Sequence, residues 1–250
     1  MSGAPIVGFI SPPDWFDPTP QGFLNAVVEP VRVQQAPLVR QGFCWHLDNV
    51  KQLQEGMEHN AAALARMGCG LVAQVSSPFT WAGSASESEA RARCSDLSRA
   101  AGVPVVLNGL AMVDALRAHG VRRVAAHCGY YDPVWQSAFA GFLSLCGFTV
   151  VHAASLEELG LEEYASQERG WGMDRELTRL SVLAMVRAAP AAQAVVITGT
   201  TTSCHEFHTE LEAESGTFVV PGDLALYWAI ARDLGLTLKP CMGSLAGLQA

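Results

Sequence analysis

Small hydroxyl-bearing residues follow two apolar segments of the chain. The segment at residues 70–75 ends in Ser76 and Ser77, and the segment at residues 194–197 ends in a run of threonines around Gly199. Each segment is short and almost continuously hydrophobic, which is typical of a strand buried on both faces of a sheet. Ligands of an open α/β sheet bind outside the carboxyl ends of such strands. The two strand ends therefore predict one site lined by small hydrogen-bond donors, to which Thr201 also contributes.

Other side chains that could carry protons lie near predicted strand ends. His127 and Cys128 end one strand, and Cys204 begins the helix after the threonines. A helix N-terminus can lower the pKa of a thiol, so these three residues are alternative acid–base groups, although cysteine is often simply buried. His205 and His208 lie close to Cys204 in the sequence and could share a metal ion with it, but a metal site needs further well-placed ligands. We therefore expect a solvated helix face there and no metal.

Aromatic residues fall in segments predicted to form loops beside these strand ends. Such side chains can line a pocket for a planar or bulky substrate, and packing between two lobes is the alternative. Trp135 and Trp228 lie inside predicted helices, where packing is the better interpretation. The loop residues expected at the mouth of the site are Trp15, Phe43, Trp45, His46, Phe79, Trp81, Tyr131 and Trp171.

The composition is that of a compact globular chain. Half of the 250 residues are hydrophobic and only 16% are charged, which argues against disorder. The net charge of −8 argues against a nucleic-acid partner, and no stretch approaches the roughly 20 apolar residues that span a bilayer. Seven scattered cysteines without a CxxC pair indicate reduced thiols in a cytoplasmic protein. The N-terminal residues show no basic segment typical of a signal peptide.

Strand and helix patterns alternate along the whole chain, which predicts parallel sheets with helices on both faces. The extended segments are expected at residues 5–10, 31–40, 70–75, 103–107, 121–127, 148–152, 194–198 and 217–220. The helices are expected at residues 22–29, 48–67, 84–101, 109–119, 133–146, 174–189, 203–214 and 221–234, with a loosely held tail after residue 240.

The order of elements in residues 1–107 is similar to the order in residues 108–220. This doubling predicts an α/β fold of two pseudo-symmetric lobes, each a parallel sheet flanked by helices, with the active site in the cleft between them. The first lobe would comprise residues 1–107 together with 221–250, because the last long helix is expected to pack back on it. Residues 108–220 would form the second lobe.

This arrangement resembles the aspartate/glutamate racemase superfamily, and within it the arylmalonate decarboxylase and maleate isomerase branch. The resemblance rests on the segments at residues 8–13, 116–125, 130–132 and 219–228. It implies a cofactor-independent enzyme that holds a substrate carboxylate as a planar enolate. It also implies that Pro12 and Pro13 belong to a substrate-binding turn.

The two positions that carry catalytic cysteines in this family hold other residues here. Matched position by position, they fall on Ser76 and Gly199. Ser76 could transfer a proton or bind a carboxylate, whereas Gly199 either leaves room for substrate or water or merely permits an unusual backbone angle. Pro78 stands where the family has another donor, and it lacks a backbone N–H. The residues that the resemblance implies around the enolate are Ser77, Tyr130, Gly199 and Thr200.

The function that follows is a lyase of decarboxylase or elimination type, acting on a small carboxylic acid with an aromatic or bulky group. Stereoinversion needs a proton-transferring group on each face of the intermediate, so the loss of both cysteines disfavours racemisation. One alternative is a maleate-type cis–trans isomerase or racemase that uses relocated residues such as Cys128 or Cys204. Another is a non-catalytic homologue that binds a small ligand, and a hydrolase using Ser76 is a weaker one. We expect no cofactor, nucleic acid or membrane as a partner, and the sequence leaves monomer and homo-oligomer open.

Overall fold

Two four-stranded parallel sheets form the centre of the molecule. The computed structural model describes residues 3–13, 15–161 and 172–248, and eight strands lie within those ranges. The first sheet has the order β2-β1-β3-β4, and the second has the equivalent order β6-β5-β7-β8. The strands are β1 (Ile6–Ser11), β2 (Arg32–Pro37), β3 (Leu71–Gln74), β4 (Val105–Leu107), β5 (Arg123–His127), β6 (Thr149–Ala154), β7 (Ala194–Ile197) and β8 (Phe218–Pro221).

All six strand pairings are parallel, as the alternation of strands and helices predicts. Every residue of β3, β4, β7 and β8 is buried, because helices cover both faces of each sheet. The predicted α/β fold with two similar lobes is confirmed. The matching strand orders also place the carboxyl ends of β3 and β7 in equivalent positions of the two sheets.

The helices follow the strands along the chain, and short acidic or hydroxyl side chains cap several of them. Ser86 accepts a hydrogen bond from the Glu89 N–H, and Asp174 accepts one from the Leu177 N–H at 2.8 Å. The helices are α1 (Thr19–Ala26), α2 (Leu47–Lys51), α3 (Gln54–Arg66), α4 (Pro78–Trp81), α5 (Glu87–Ala101), α6 (Asn108–Ala118), α7 (Pro133–Leu145), α8 (Arg175–Ala188), α9 (His208–Ser215), α10 (Gly222–Leu234) and α11 (Ser244–Gly247), with 3₁₀ turns at Cys204–Glu206 and Pro240–Met242.

Three local predictions are wrong. The helix expected over residues 48–67 is two helices, because Leu53 leaves helical geometry where its side chain enters the core. The helix expected from residue 203 begins as a 3₁₀ turn, since Ser203 has a left-handed backbone with φ 47°. The tail after residue 240 is packed, because Met242 and Leu245 are fully buried.

Helix α10 returns to the first sheet, where it packs against α6 and contacts β3 and β4. The sequence predicts this contact for the last long helix. The lobe boundaries at residues 107 and 220 stay a prediction. Among the described residues, no helix is long and apolar enough to cross a membrane.

Candidate functional site

A cleft of about 210 Å³ lies at the carboxyl ends of the strands of both sheets. Pro12 follows β1, Ser76 follows β3 and Asn108 follows β4 on the first-sheet side. Thr198 follows β7 and Gly222 follows β8 on the other side. This is the edge at which parallel α/β sheets bind ligands, so the fold places the candidate site where the strand-end hydroxyls predict it.

Ser76 and Gly199 occupy equivalent backbone positions, two residues after the last residue of β3 and of β7. Both line the cleft, and both are left-handed, with φ 74° at Ser76 and φ 71° at Gly199. This region costs an L-residue roughly 1–2 kcal/mol. Glycine at position 199 avoids that cost, and Ser76 bears it. Strained residues of this kind concentrate at functional sites.

The ring of Tyr131 fills the space beside Gly199. A Cβ atom at position 199 would lie 2.8 Å and 2.9 Å from two ring carbons of Tyr131, and 2.6 Å from the carbonyl oxygen of Cys128. The structure therefore favours the backbone interpretation of Gly199, and it contradicts the idea that this glycine leaves open space for substrate or water.

Three hydrogen-bonding groups converge on the phenol oxygen of Tyr131. The Thr198 hydroxyl lies 3.4 Å from it, and the Ser77 hydroxyl and the backbone N–H of Gly199 lie close enough to lower its pKa. Ser77 Oγ and Thr198 Oγ1 are 2.5 Å apart, which joins the two strand ends directly. Burial raises the pKa of Tyr131 above its usual range despite these hydrogen bonds, so the phenol is neutral. The cluster can therefore hold one oxygen atom from several sides.

Two carboxyl groups form another wall of the cleft, called here the acid wall and made of Asp17 and Asp223. Asp17 accepts a hydrogen bond from the Thr19 N–H at 2.8 Å, and the Trp15 side chain also acts to lower the pKa of Asp17. Both oxygens of Asp223 lie 3.3 Å from the Thr202 hydroxyl. Burial raises the pKa of both carboxyls, and it raises that of Asp223 to about 6, with a further contribution from the charge of Asp17.

Most of the residues predicted to surround the enolate line the cleft, but the hydroxyls of two of them point to carbonyl groups. Tyr130 donates to the carbonyl of Gly172 at 3.0 Å, and the Thr200 hydroxyl lies 3.4 Å from the carbonyl of Thr201. Their roles in catalysis stay a prediction. The predicted residues that line the cleft are Pro12, Trp15, Trp45, Ser76, Ser77, Pro78, Tyr130, Tyr131, Gly199, Thr200 and Thr201.

Five predicted substrate contacts are not among the described residues that line the cleft. Phe79 and Trp81 are buried behind it, and the Trp81 indole donates to Ser77 Oγ at 3.3 Å. Phe43 packs edge-on against Trp45, with ring centroids 5.3 Å apart, and His46 is exposed to solvent. Pro13 is also buried. The rings of Phe43, Phe79 and Trp81 contact aromatic residues that line the cleft and so support its walls. Trp171 lies outside the described residues.

The alternative acid–base residues lie in the core instead of the cleft. His127, Cys128 and Cys204 have fully buried side chains, and they are not among the described lining residues. Burial lowers the pKa of His127 to about 4 and raises the pKa of Cys128 to about 12. It also raises the pKa of Cys204 well above the usual thiol range. The two thiols are therefore protonated and have no contact with the cleft.

The predicted solvated face at His205 and His208 is also wrong. Both side chains are buried, and the ring nitrogens of His208 lie 2.9 Å from the Met242 carbonyl and 2.8 Å from the Val219 carbonyl. His208 therefore helps to fix the C-terminal segment. No group of three or more His, Cys, Asp or Glu side chains within the described part of the chain could hold a metal ion.

Sequence reasoning missed several residues of the site. Tyr131 was expected at the mouth of the cleft, and it lines the cleft as a partly buried side chain between the strand ends. Trp135 lines the cleft although it lies within α7. Asp223 follows the end of β8, so the rule that identified Ser76 could have identified it. Asp17 precedes a helix and carries no comparable signal.

Comparisons with known proteins agree with this geometry. A model of the arylmalonate decarboxylase family matches residues 38–246. The fold is similar to that of an unliganded arylmalonate decarboxylase, with 22% identity, a TM-score of 0.78 and coverage of 98% of this chain and 99% of that one.

Two maleate isomerases have the same fold. The enzyme from Pseudomonas putida S16 matches with 16% identity, a TM-score of 0.78 and coverage of 99% and 100% of the two chains. The enzyme from Nocardia farcinica bound to TRIS matches with 17% identity, a TM-score of 0.74 and coverage of 97% of each chain. No curated protein matches the sequence. Because the family model spans most of its length, the chain belongs to the arylmalonate decarboxylase family and is a lyase or isomerase of the aspartate/glutamate racemase superfamily.

Proposed function

We propose that this chain is a cofactor-independent lyase that decarboxylates a small carboxylic acid bearing an aromatic or bulky group. The observation that carries the proposal is the convergence of the Ser77 hydroxyl, the Thr198 hydroxyl and the Gly199 N–H on one oxygen position. In this structure Tyr131 supplies that oxygen. A substrate oxygen that took its place would lie near the same groups, of which the Gly199 N–H and one of the two hydroxyls can donate to it, because Ser77 and Thr198 are hydrogen-bonded to each other.

These donors stabilise the charge that develops during decarboxylation. When the bond to the departing carboxylate breaks, its electron pair stays on the α-carbon and spreads onto the oxygens of the remaining carboxylate. Hydrogen-bond donors fixed before the reaction stabilise such an enolate without reorganising. Removal of one donor of this kind typically costs about 2.7–4 kcal/mol of transition-state stabilisation.

The rest of the cleft supports loss of carbon dioxide from a bulky acid. Trp15, Trp45 and Trp135 line it, which gives an apolar surface for an aromatic substituent. The described lining residues include three aspartates and no Lys, Arg or His. A carboxylate in such surroundings is not held by a cation, and its conversion to neutral carbon dioxide is favoured where water is excluded.

The positions of the thiols weigh against an isomerase that uses relocated cysteines. Cys128 and Cys204 are fully buried, and burial raises the pKa of both. The comparisons are compatible with either chemistry, because the similar structures include an arylmalonate decarboxylase and two maleate isomerases. A non-catalytic ligand-binding protein is the remaining alternative.

Proton NMR in deuterated buffer tests the proposal. Arylmalonates, maleate and amino acids are incubated with the wild-type protein, with Ser77→Ala and with Ser95→Ala, whose exposed hydroxyl on α5 serves as the control. We expect loss of a carboxylate from an arylmalonate with deuterium at the α-carbon, a large loss of rate in Ser77→Ala and none in Ser95→Ala. A double-bond change in maleate would indicate the isomerase, and binding without conversion would indicate the non-catalytic alternative.

A further inference from the structure

We propose that Asp223, which lines the cleft together with Asp17, is the catalytic residue that delivers a proton to the α-carbon of the intermediate. This inference rests on the proposed lyase function, because an enolate held in the cleft must be protonated before the product leaves. It concerns the acid wall, which lines the same cleft as the donor cluster that Ser77, Thr198 and Gly199 form around the Tyr131 oxygen.

Asp223 stands at the end of β8, in the first turn of α10, and its carboxyl group is partly exposed to the cleft. Its oxygens lie 3.3 Å from the Thr202 hydroxyl, and Oδ1 also accepts from the N–H of Leu224 at 3.0 Å. Thr202 Oγ1 is in turn 3.3 Å from the thiol of Cys204. The carboxyl is therefore anchored by weak contacts on its protein side and open to a substrate on the other.

The other titratable side chains that line the described part of the cleft are committed elsewhere. Asp132 caps α7, where it accepts from the Val134 N–H at 2.8 Å and the Trp135 N–H at 3.0 Å. Tyr130 donates to a carbonyl, and the Tyr131 oxygen is held by the donor cluster. These contacts leave the acid wall as the group best placed to exchange a proton with a substrate.

The surroundings of Asp223 favour its protonated form. The titratable groups that face it are Asp17 from the segment before α1, Cys204 from the 3₁₀ turn and Tyr227 from α10 itself. Each of these is an acid, so none offsets the charge of an ionised Asp223. Burial and the nearby carboxyl raise its pKa to about 6, within the range in which a carboxylic acid can transfer protons near neutral pH.

Protonation by Asp223 completes the decarboxylation. The C–C bond to the departing carboxylate breaks, carbon dioxide leaves, and the electron pair remains as the enolate. That pair then forms a C–H bond with the proton of the Asp223 carboxylic acid, and the remaining carboxylate is restored. Asp223 becomes a carboxylate and regains a proton from water, so each turnover consumes one proton and needs no redox partner.

The test combines a titration with kinetics. Carbon-13 NMR of carboxyl-labelled aspartate follows Asp223, whose signal is assigned by its loss in Asp223→Asn. We expect it to titrate near pH 6 and at a lower pH in Asp17→Asn. We also expect Asp223→Asn to lower the rate of deuterium incorporation about 100-fold or more, with partial rescue by Asp223→Glu. The control is Asp233→Asn, at the solvent-exposed end of the same helix.

The outcomes separate this inference from the proposed function. An Asp223 carboxyl that titrates near pH 4, or an Asp223→Asn variant whose rate stays within twofold of wild type, overturns the role of Asp223 and leaves the lyase intact. The wild-type rate should also fall as pH rises above about 6, and a pH profile unchanged in Asp223→Asn contradicts the inference. Failure of the proposed function would instead show as a wild-type protein that converts no acid while Asp223 still titrates near 6.

Discussion

A side chain at position 199 should destabilise the protein, because the backbone and Tyr131 leave no space for it. The left-handed backbone of Gly199 costs an alanine about 1–2 kcal/mol. The new Cβ would also lie 2.6 Å from the Cys128 carbonyl oxygen and within 2.9 Å of the Tyr131 ring. Overpacking of this kind adds about 1–3 kcal/mol. We therefore expect Gly199→Ala to lower the free energy of unfolding by about 2–5 kcal/mol.

Urea unfolding at pH 7 measures this change, with the slope against urea checked to confirm that the denatured state is unaltered. The control is Gly141→Ala, an exposed position in α7 where a Cβ meets nothing within 4 Å. An alanine there should stabilise the helix by about 0.5–1 kcal/mol. In a Tyr131→Ala background, Gly199→Ala should cost less but should still destabilise the protein, because the contact with the Cys128 carbonyl persists.

A loss below about 0.5 kcal/mol in Gly199→Ala, the range of an ordinary surface substitution, would refute this reasoning. It would mean that Tyr131 and the strand end yield easily, so that the ring does not define the position of the donor cluster. Gly199→Cys should meet the same obstacle. A thiol added there would reach the cleft only if Tyr131 moved.

Three further predictions concern activity, pH and thiol reactivity. Ser77→Ala should lower kcat about 10²–10³-fold with a smaller effect on KM, as steady-state kinetics on a converted acid would reveal. The contribution of Asp223 to the free energy of unfolding should fall from about pH 4 to pH 6, because its carboxyl ionises at a lower pH in the unfolded chain than in the folded protein. Asp223→Asn should remove that fall. Its size is at most about 3 kcal/mol, and the partial exposure of the Asp223 carboxyl to the cleft makes it smaller. Urea unfolding of both proteins across this pH range measures the difference. Iodoacetamide should modify exposed Cys44 but not buried Cys128 or Cys204, as mass spectrometry of the native protein would show. Loss of activity together with modification of a buried thiol would revive the relocated-cysteine alternative.

The sequence alone determined the class of fold and the edge at which the site lies. Short apolar segments and amphipathic segments of helical length are local patterns, and each is set by the backbone geometry of strand or helix. The doubled order of these segments predicted the two lobes. The hydroxyls after β3 and β7 predicted that the carboxyl ends of the strands would carry the site. These inferences depend only on residues near one another in the chain.

The tertiary structure decided which side chains meet in the cleft. Tyr131 and Gly199 are 68 positions apart, and Asp17 and Asp223 belong to opposite ends of the chain. No local pattern links such pairs, because their approach depends on how the two sheets and the returning helix α10 pack. Packing also buried Cys128 and Cys204, whose sequence positions beside strand and helix ends had suggested reactivity. The sequence therefore determined where a site could lie, and long-range packing decided which side chains meet there and which are buried away from it.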